Sequence, residues 1–309
     1  MTTTHHLEYL PDRAAMESIR LVISPMKGSV VDPSAREAFD HLMANTPGAP
    51  GIAYEAASIG GVQGWWCLPG DPTPHSAILY FHGGGYVVGS ARAYRHFAGH
   101  FAARANVCVF VPDYALAPEH PFPAAIDDAG ASYAGLVAQG FSKIALAGDS
   151  AGGGLALATL SQAVAQSRAG AWPRPKGAAV ISASTDLALT GESIEVRADA
   201  DPLSTRGSLS SLANLYLKGH DPRDPLASPL YGDLVGLPPV MMHVGEDDIL
   251  LDDSIRYAER MERDGGTADL HIWAGMIHVF PSNLALLQAA NEALDSIGNF
   301  LRQQLSRDA

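Results

Sequence analysis

A short run of residues constrains this chain more than any other: Gly148-Asp149-Ser150-Ala151-Gly152-Gly153-Gly154. An apolar run, Lys143-Ile144-Ala145-Leu146-Ala147, leads into it, and Leu155-Ala156-Leu157-Ala158-Thr159-Leu160 leads out. The first has the character of a buried strand and the second that of a buried helix. A strand that reverses sharply into a helix leaves no room for side chains at the flanking positions, which accounts for Gly148 and Gly152. Ser150 then stands at the tip of the turn, at a helix N-terminus whose dipole favours developing negative charge. The pattern G-x-S-x-G has two readings: a tight elbow that presents a reactive serine, or a glycine-rich turn with an N-capping serine. The choice rests on whether the rest of the chain supplies chemical partners.

The 309 residues are 47% hydrophobic, ample for a large core, and α/β folds of this size often form one domain where length alone would suggest two. A formal net charge of −13 speaks against nucleic acid or an anionic membrane as a partner, because phosphates need clustered Lys and Arg. Cys67 and Cys108 each sit in an apolar, strand-like run and read as small core residues, not a disulfide framework. That fits a reducing compartment and a cytoplasmic protein. Residues 1–6 have no apolar signal-peptide core, and no run approaches the length of a membrane span.

Along the chain, residues 12–22 and 33–43 have helical spacing, and neither resembles an element of a regular sheet. His5 and His6 read as a solvated terminus. Residues 52–58 and 62–68 read as a hairpin-like pair of strands about Gly60-Gly61. Strands at 77–81, 107–111, 143–147, 178–182, 239–244 and 268–273 then alternate with helices around 94–104, 124–138, 155–168, 252–264 and 284–305. Residues 186–236 interrupt the alternation with helical patches, chiefly 204–217, among Pro and Asp turns, and an insertion of that length is usually functional. The expected fold is α/β, a mostly parallel central sheet with helices on both faces.

A serine hydroxyl needs a base, an orienter for that base and donors for an oxyanion. Of 12 histidines, His278 in Gly275-Met276-Ile277-His278 is best placed, on a loop beyond a late strand, whereas His243 and His271 lie within strands and read as structural. The acid falls in Gly245-Glu246-Asp247-Asp248, after the preceding strand, and spacing does not choose between Asp247 and Asp248. Asp252 and Asp253 look like the cap of the following helix. Oxyanion donors fit His82-Gly83-Gly84-Gly85, directly after a strand, where glycines let backbone N–H groups approach a ligand; the N–H of Ala151 would join them. His82 itself reads as structural, orienting its loop.

Together these motifs resemble the hormone-sensitive lipase family of α/β-hydrolases, which includes the bacterial family IV esterases, from about residue 75 to the end. The resemblance rests on His82–Gly85 as written above, on Gly148-Asp149-Ser150-Ala151-Gly152, and on Asp113-Tyr114-Ala115-Leu116-Ala117-Pro118-Glu119, where Ala115 stands in place of the usual arginine. It also rests on Asp248-Ile249-Leu250, with isoleucine for the usual proline, and on Gly275–His278 as written above. The resemblance implies a triad of Ser150, Asp248 and His278, thus selecting Asp248, and oxyanion donors in the N–H groups of Gly84, Gly85 and Ala151. It implies a serine carboxylesterase acting on small-molecule esters of short to medium chain length, with no metal or organic cofactor and no stable membrane anchor. It further implies a cap: N-terminal cap helices in 1–45 and a contribution from 186–236 to the 46–309 catalytic domain. Met16, Ile19, Leu203, Leu209, Leu212 and Tyr216 could line its pocket, plain packing being the simpler reading for any one of them. Relatives often pair through the last strand and its neighbouring helix, so a homodimer is expected as an option. A lactone hydrolase or amidase would use the same triad. A non-catalytic small-molecule receptor would lack a triad member, and a membrane-associated lipase would need an exposed apolar lid.

Overall fold

The computed structural model describes residues 2–307; residue 1 and residues 308–309, the outer ends of the two expected ranges, lie outside the described residues. The strands are β1 (Thr2–His6), β2 (Ile52–Ile59), β3 (Val62–Pro69), β4 (Ser76–Phe81), β5 (Cys108–Pro112), β6 (Lys143–Asp149), β7 (Ala178–Ile181), β8 (Val240–Gly245) and β9 (Ala268–Trp273). The helices are α1 (Arg13–Ile23), α2 (Arg36–Ala44), α3 (Ala91–Ala105), α4 (Ala124–Ala138), α5 (Ala151–Arg168), α6 (Ser193–Val196), α7 (Arg206–Leu217), α8 (Leu251–Arg263) and α9 (Gln288–Ser306). The nine strands form one sheet in the order β1-β9-β8-β7-β6-β4-β5-β3-β2. Pairing is antiparallel at β2–β3 and β3–β5 and parallel elsewhere.

The central strands are buried on both faces, so they read as unbroken apolar runs. Their side chains still alternate: Ala77, Leu79 and Phe81 of β4 enter the core shared with α4, α5 and α8, while Ile78 and Tyr80 enter the one shared with α3 and α9. Cys67 and Cys108 are buried and unpaired, as the sequence implied. No helix among the described residues is long and apolar enough to cross a membrane.

The N-terminus departs from expectation. Residues 2–6 are a strand, not a solvated tail, and pair in parallel register with β9. His6 stacks on Trp273 with ring centroids 3.6 Å apart, and its Nε2 lies 2.9 Å from Nδ1 of His271. Pairing to β9 supplies a regularity that Thr-Thr-Thr-His-His does not carry in its own pattern. Because β1 takes the outer edge of β9, a second chain approaching there would meet β1 first. Farther on, the buried carboxylate of Asp12 accepts the backbone N–H groups of Gln288 and Ala289, so the N-terminal segment caps α9.

Asp252 and Asp253 are also not caps of their own helix. They lie inside the first turn of α8, whose N-cap position is Leu250 with no side-chain bond. Asp253 instead accepts the N–H groups of Thr185 and Asp186, and Asp252 that of Ser193, tying the start of the 186–236 segment to α8.

Between β6 and α5 the turn is as tight as its glycines imply. A Cβ on Gly152 would lie 2.1 Å from the carbonyl oxygen of Phe81 and 2.3 Å from that of His82, both immovable backbone. Gly152→Ala is therefore expected to cost about 1–3 kcal/mol by overpacking, seen as a lowered denaturation midpoint. Gly70→Ala, where an added Cβ meets nothing within 4 Å, is the control and should stay within about 0.5 kcal/mol of the parent.

Candidate active site

Ser150 occupies the bend between β6 and α5 with φ 53° and ψ −123°, a left-handed backbone that few non-glycine residues adopt. The turn is held by ladder-like bonds on both sides. The Ser150 N–H donates to the Ile181 carbonyl, and the Ser150 carbonyl accepts from Ser184 and Gly154. Strain at this position turns the side chain out of the sheet and toward the loops that follow β7, β8 and β9.

Those loops bring the expected partners together. Ser150 Oγ lies 2.9 Å from His278 Nε2, and His278 Nδ1 lies 3.0 Å from Asp248 Oδ2. In the neutral tautomer that fits, Nδ1–H donates to the carboxylate and Nε2 accepts from the serine hydroxyl. Asp248 is fully buried, and its Oδ1 accepts the Leu250 N–H at 2.9 Å. Asp247, the neighbour that spacing could not exclude, points the other way and pairs with Arg20 at 2.5 Å. The His278 loop is fixed by Ser182 Oγ, which accepts the Val279 N–H, and by Arg20, which donates to the Gly275 carbonyl.

Burial by itself would push His278 down. The charge of Asp248 and its hydrogen bond, with the nearby charges of Asp201 and Asp149, outweigh that and push it up to about 9.

The glycine loop after β4 lies against the elbow. His82 is buried, and its Nδ1–H donates to the Gly83 carbonyl at 2.8 Å. Burial pushes its pKa down to about 4, so it stays neutral and structural, as read from the sequence. Tyr114 stacks on the His82 ring and donates to the His82 carbonyl at 2.7 Å. Gly84 and Gly85 have φ of 115° and 62°. Among the described residues, the backbone N–H groups of Gly84, Gly85 and Ala151 have no protein acceptor.

One residue of this arrangement escaped the sequence reading. Asp149, the second residue of the elbow pattern, accepts Tyr80 Oη (2.6 Å) and the Gly83 N–H (3.1 Å) on Oδ1 and Tyr94 Oη (3.3 Å) on Oδ2. It thereby bolts the glycine loop to the elbow. Burial pushes its carboxyl up to about 6 against the pull of these bonds. The available signal was a carboxylate at the end of a strand that is apolar after Lys143, which needs a partner.

Of the residues considered for a pocket, Leu212 and Tyr216 of α7 reach this region. Leu212 would be 2.7 Å from a Cβ on Gly85, and Tyr216 stacks on Tyr86 at 3.8 Å. Leu209 packs with Leu189, Ile194, Ile249 and Leu250, and Leu203 is exposed. Met16 and Ile19 pack with Trp273, Met276 and Phe280, beside the His278 loop and away from the glycine loop.

A parallel sheet with a strained serine between strand and helix, and loops that end three later strands converging on it, defines an α/β hydrolase. The chain belongs to that family: residues 78–282 match the family described as the alpha/beta hydrolase fold. It is 37% identical over 270 residues to an acetyl-hydrolase of Streptomyces hygroscopicus, covering 87% of this chain and 86% of that protein. It is 32% identical over 280 residues to an esterase of Acinetobacter venetianus, covering 90% and 91%. Among solved structures it resembles an esterase from the bacterial hormone-sensitive lipase family, with a TM-score of 0.88, 37% identity and 97% and 99% of the two chains covered.

Proposed function

We propose that the protein is a serine carboxylesterase that hydrolyses small esters of short to medium chain length through Ser150, His278 and Asp248. The observation that carries this reading is the hydrogen-bonded chain from Ser150 Oγ through both nitrogens of His278 to Asp248. It lies next to three backbone donors that have no protein acceptor among the described residues. The naming of relatives as acetyl-hydrolase and esterase supports the ester over other acyl substrates.

In this mechanism Ser150 Oγ attacks the ester carbonyl carbon while its proton passes to His278 Nε2. The N–H groups of Gly84, Gly85 and Ala151 take up the charge that develops on the carbonyl oxygen. His278 then gives its proton to the leaving alcohol, and an acyl-serine remains. Water, deprotonated by the same nitrogen, cleaves the acyl-enzyme and restores the hydroxyl. Asp248 holds the imidazole in the tautomer that keeps Nε2 free to accept and stabilises the imidazolium. The reading includes a cap made from residues within 1–45 and 186–236, with Leu212 and Tyr216 closing over the glycine loop, and a cytoplasmic location consistent with two buried free thiols.

The test is a pH–rate profile on nitrophenyl acetate and butyrate, corrected for the uncatalysed reaction. His278 must be neutral to accept the serine proton. With its pKa raised to about 9, kcat/KM should be low at pH 6 and climb along a limb centred near 9. A protein without turnover on either ester would overturn the function. A limb well below the unperturbed histidine value of about 6.5, where burial alone would put it, would instead show that the carboxylates do not act on His278.

A further inference from the structure

Asp201 lies in the 186–236 segment and is fully buried, and its carboxylate is in no ion pair among the described residues. Both its oxygens are committed to backbone donors. Oδ1 accepts the N–H groups of Leu203 and Ser204 at 2.8 Å each, and Oδ2 accepts the Ile249 N–H at 3.0 Å. Ile249 is the residue immediately after Asp248. On the other flank, Asp247 is held by Arg20, whose second guanidinium nitrogen donates to the carbonyl of Ala200 at 2.8 Å. Residues 200 and 201 thus hold both chain neighbours of Asp248, one through an arginine on α1 and one directly.

We propose that Asp201 and Arg20 are positioning residues for Asp248: they clamp both flanks of the acid, and Asp201 places a second buried carboxylate against the residue next to the acid that holds His278. This rests on the triad reading above. Hydrogen bonds from three N–H groups favour the ionised form of a buried carboxylate. The carboxylates that act on His278 are Asp248, its direct partner, then Asp201 and Asp149, all raising it. Asp201 is itself raised, by burial and by the charge of Asp248. Two like charges so close are unfavourable until His278 takes a proton, so Asp201 favours the imidazolium that forms as Ser150 attacks. The clamp also means that α1 and the 186–236 segment set the orientation of the acid loop between them.

The experiment compares Asp201→Asn and Arg20→Met with the parent on nitrophenyl acetate across pH. Misplacing the acid should lower kcat on the order of tenfold to a hundredfold in Asp201→Asn, with KM little changed. Loss of the Asp201 charge should also move the rising limb of kcat/KM to lower pH, by on the order of half a unit to one unit. Arg20→Met keeps that carboxylate and loosens only the other flank. It should lower kcat several-fold while the limb stays or moves upward. An unmoved limb in Asp201→Asn overturns the electrostatic part. If Asp201→Asn does not fold, Arg20→Met decides the clamp: kcat within twofold of the parent overturns it. Turnover and fluorophosphonate labelling of the parent separate failure here from failure of the esterase reading, since a parent that is active and labelled leaves that reading standing whatever the variants do.

Discussion

Ser150→Ala is expected to lose about three or more decades of turnover on nitrophenyl butyrate while keeping the fold. Among the described residues the side-chain oxygen has one protein partner, His278 Nε2, so its removal costs stability no more than a single hydrogen bond, about 1 kcal/mol. The backbone bonds that hold the elbow, from Ile181 to Ser184, do not involve the hydroxyl. Residual activity would come from the oxyanion donors and from binding alone. A fluorophosphonate should label the parent and leave the variant unlabelled. Near-normal turnover of the variant would remove Ser150 from the mechanism, whatever the geometry around it.

The second large effect separates two adjacent carboxylates. Asp248→Asn should cost on the order of 10⁴ in kcat, and Asp247→Asn about tenfold or less. The reason lies in how Asp248 is already bonded. Its Oδ1 accepts the Leu250 N–H, so an asparagine will keep its carbonyl oxygen there and turn its amide nitrogen toward His278. That nitrogen is a donor, so Nδ1 must accept, and the ring proton moves to Nε2, where it can no longer take one from Ser150. Asp247 touches Arg20 at a partly buried ion pair and reaches His278 only through the chain, so its loss loosens the loop without changing the tautomer. The measurement is kcat for both variants at the parent's optimum pH. Equal losses, or the reverse order, would reassign the acid.

What could be read from the sequence follows from where each constraint lies. The elbow is legible because sterics act on adjacent residues: a Cβ at Gly148 or Gly152 collides with backbone at 2.3 Å or less. The central strands are legible because burial on both faces leaves an unbroken apolar run. Spacing does not separate Asp247 from Asp248, because they share one turn; the resemblance selects Asp248, and the fold sends Asp247 to Arg20 and Asp248 to His278. Asp201 was silent for a related reason: its partner Ile249 lies 48 positions away, and nothing in Asp-Ala-Asp-Pro announces it. Spacing puts Met16 and Ile19 on one helix face, but periodicity does not say what that face covers, and it covers the His278 loop. The strand at residues 2–6 had no pattern of its own because its order comes from β9.

That edge strand has a consequence for how the protein behaves in bulk. β9 without β1 would leave the backbone donors and acceptors of residues 269–273 as an open row, a template for strand addition by any neighbouring molecule. With β1 in place the outermost row is three threonines and two histidines, polar and poorly suited to docking another apolar strand. The first few residues therefore act as a colloidal guard. An affinity tag or truncation that disturbs them would be felt in aggregation and shelf life before it was felt in turnover.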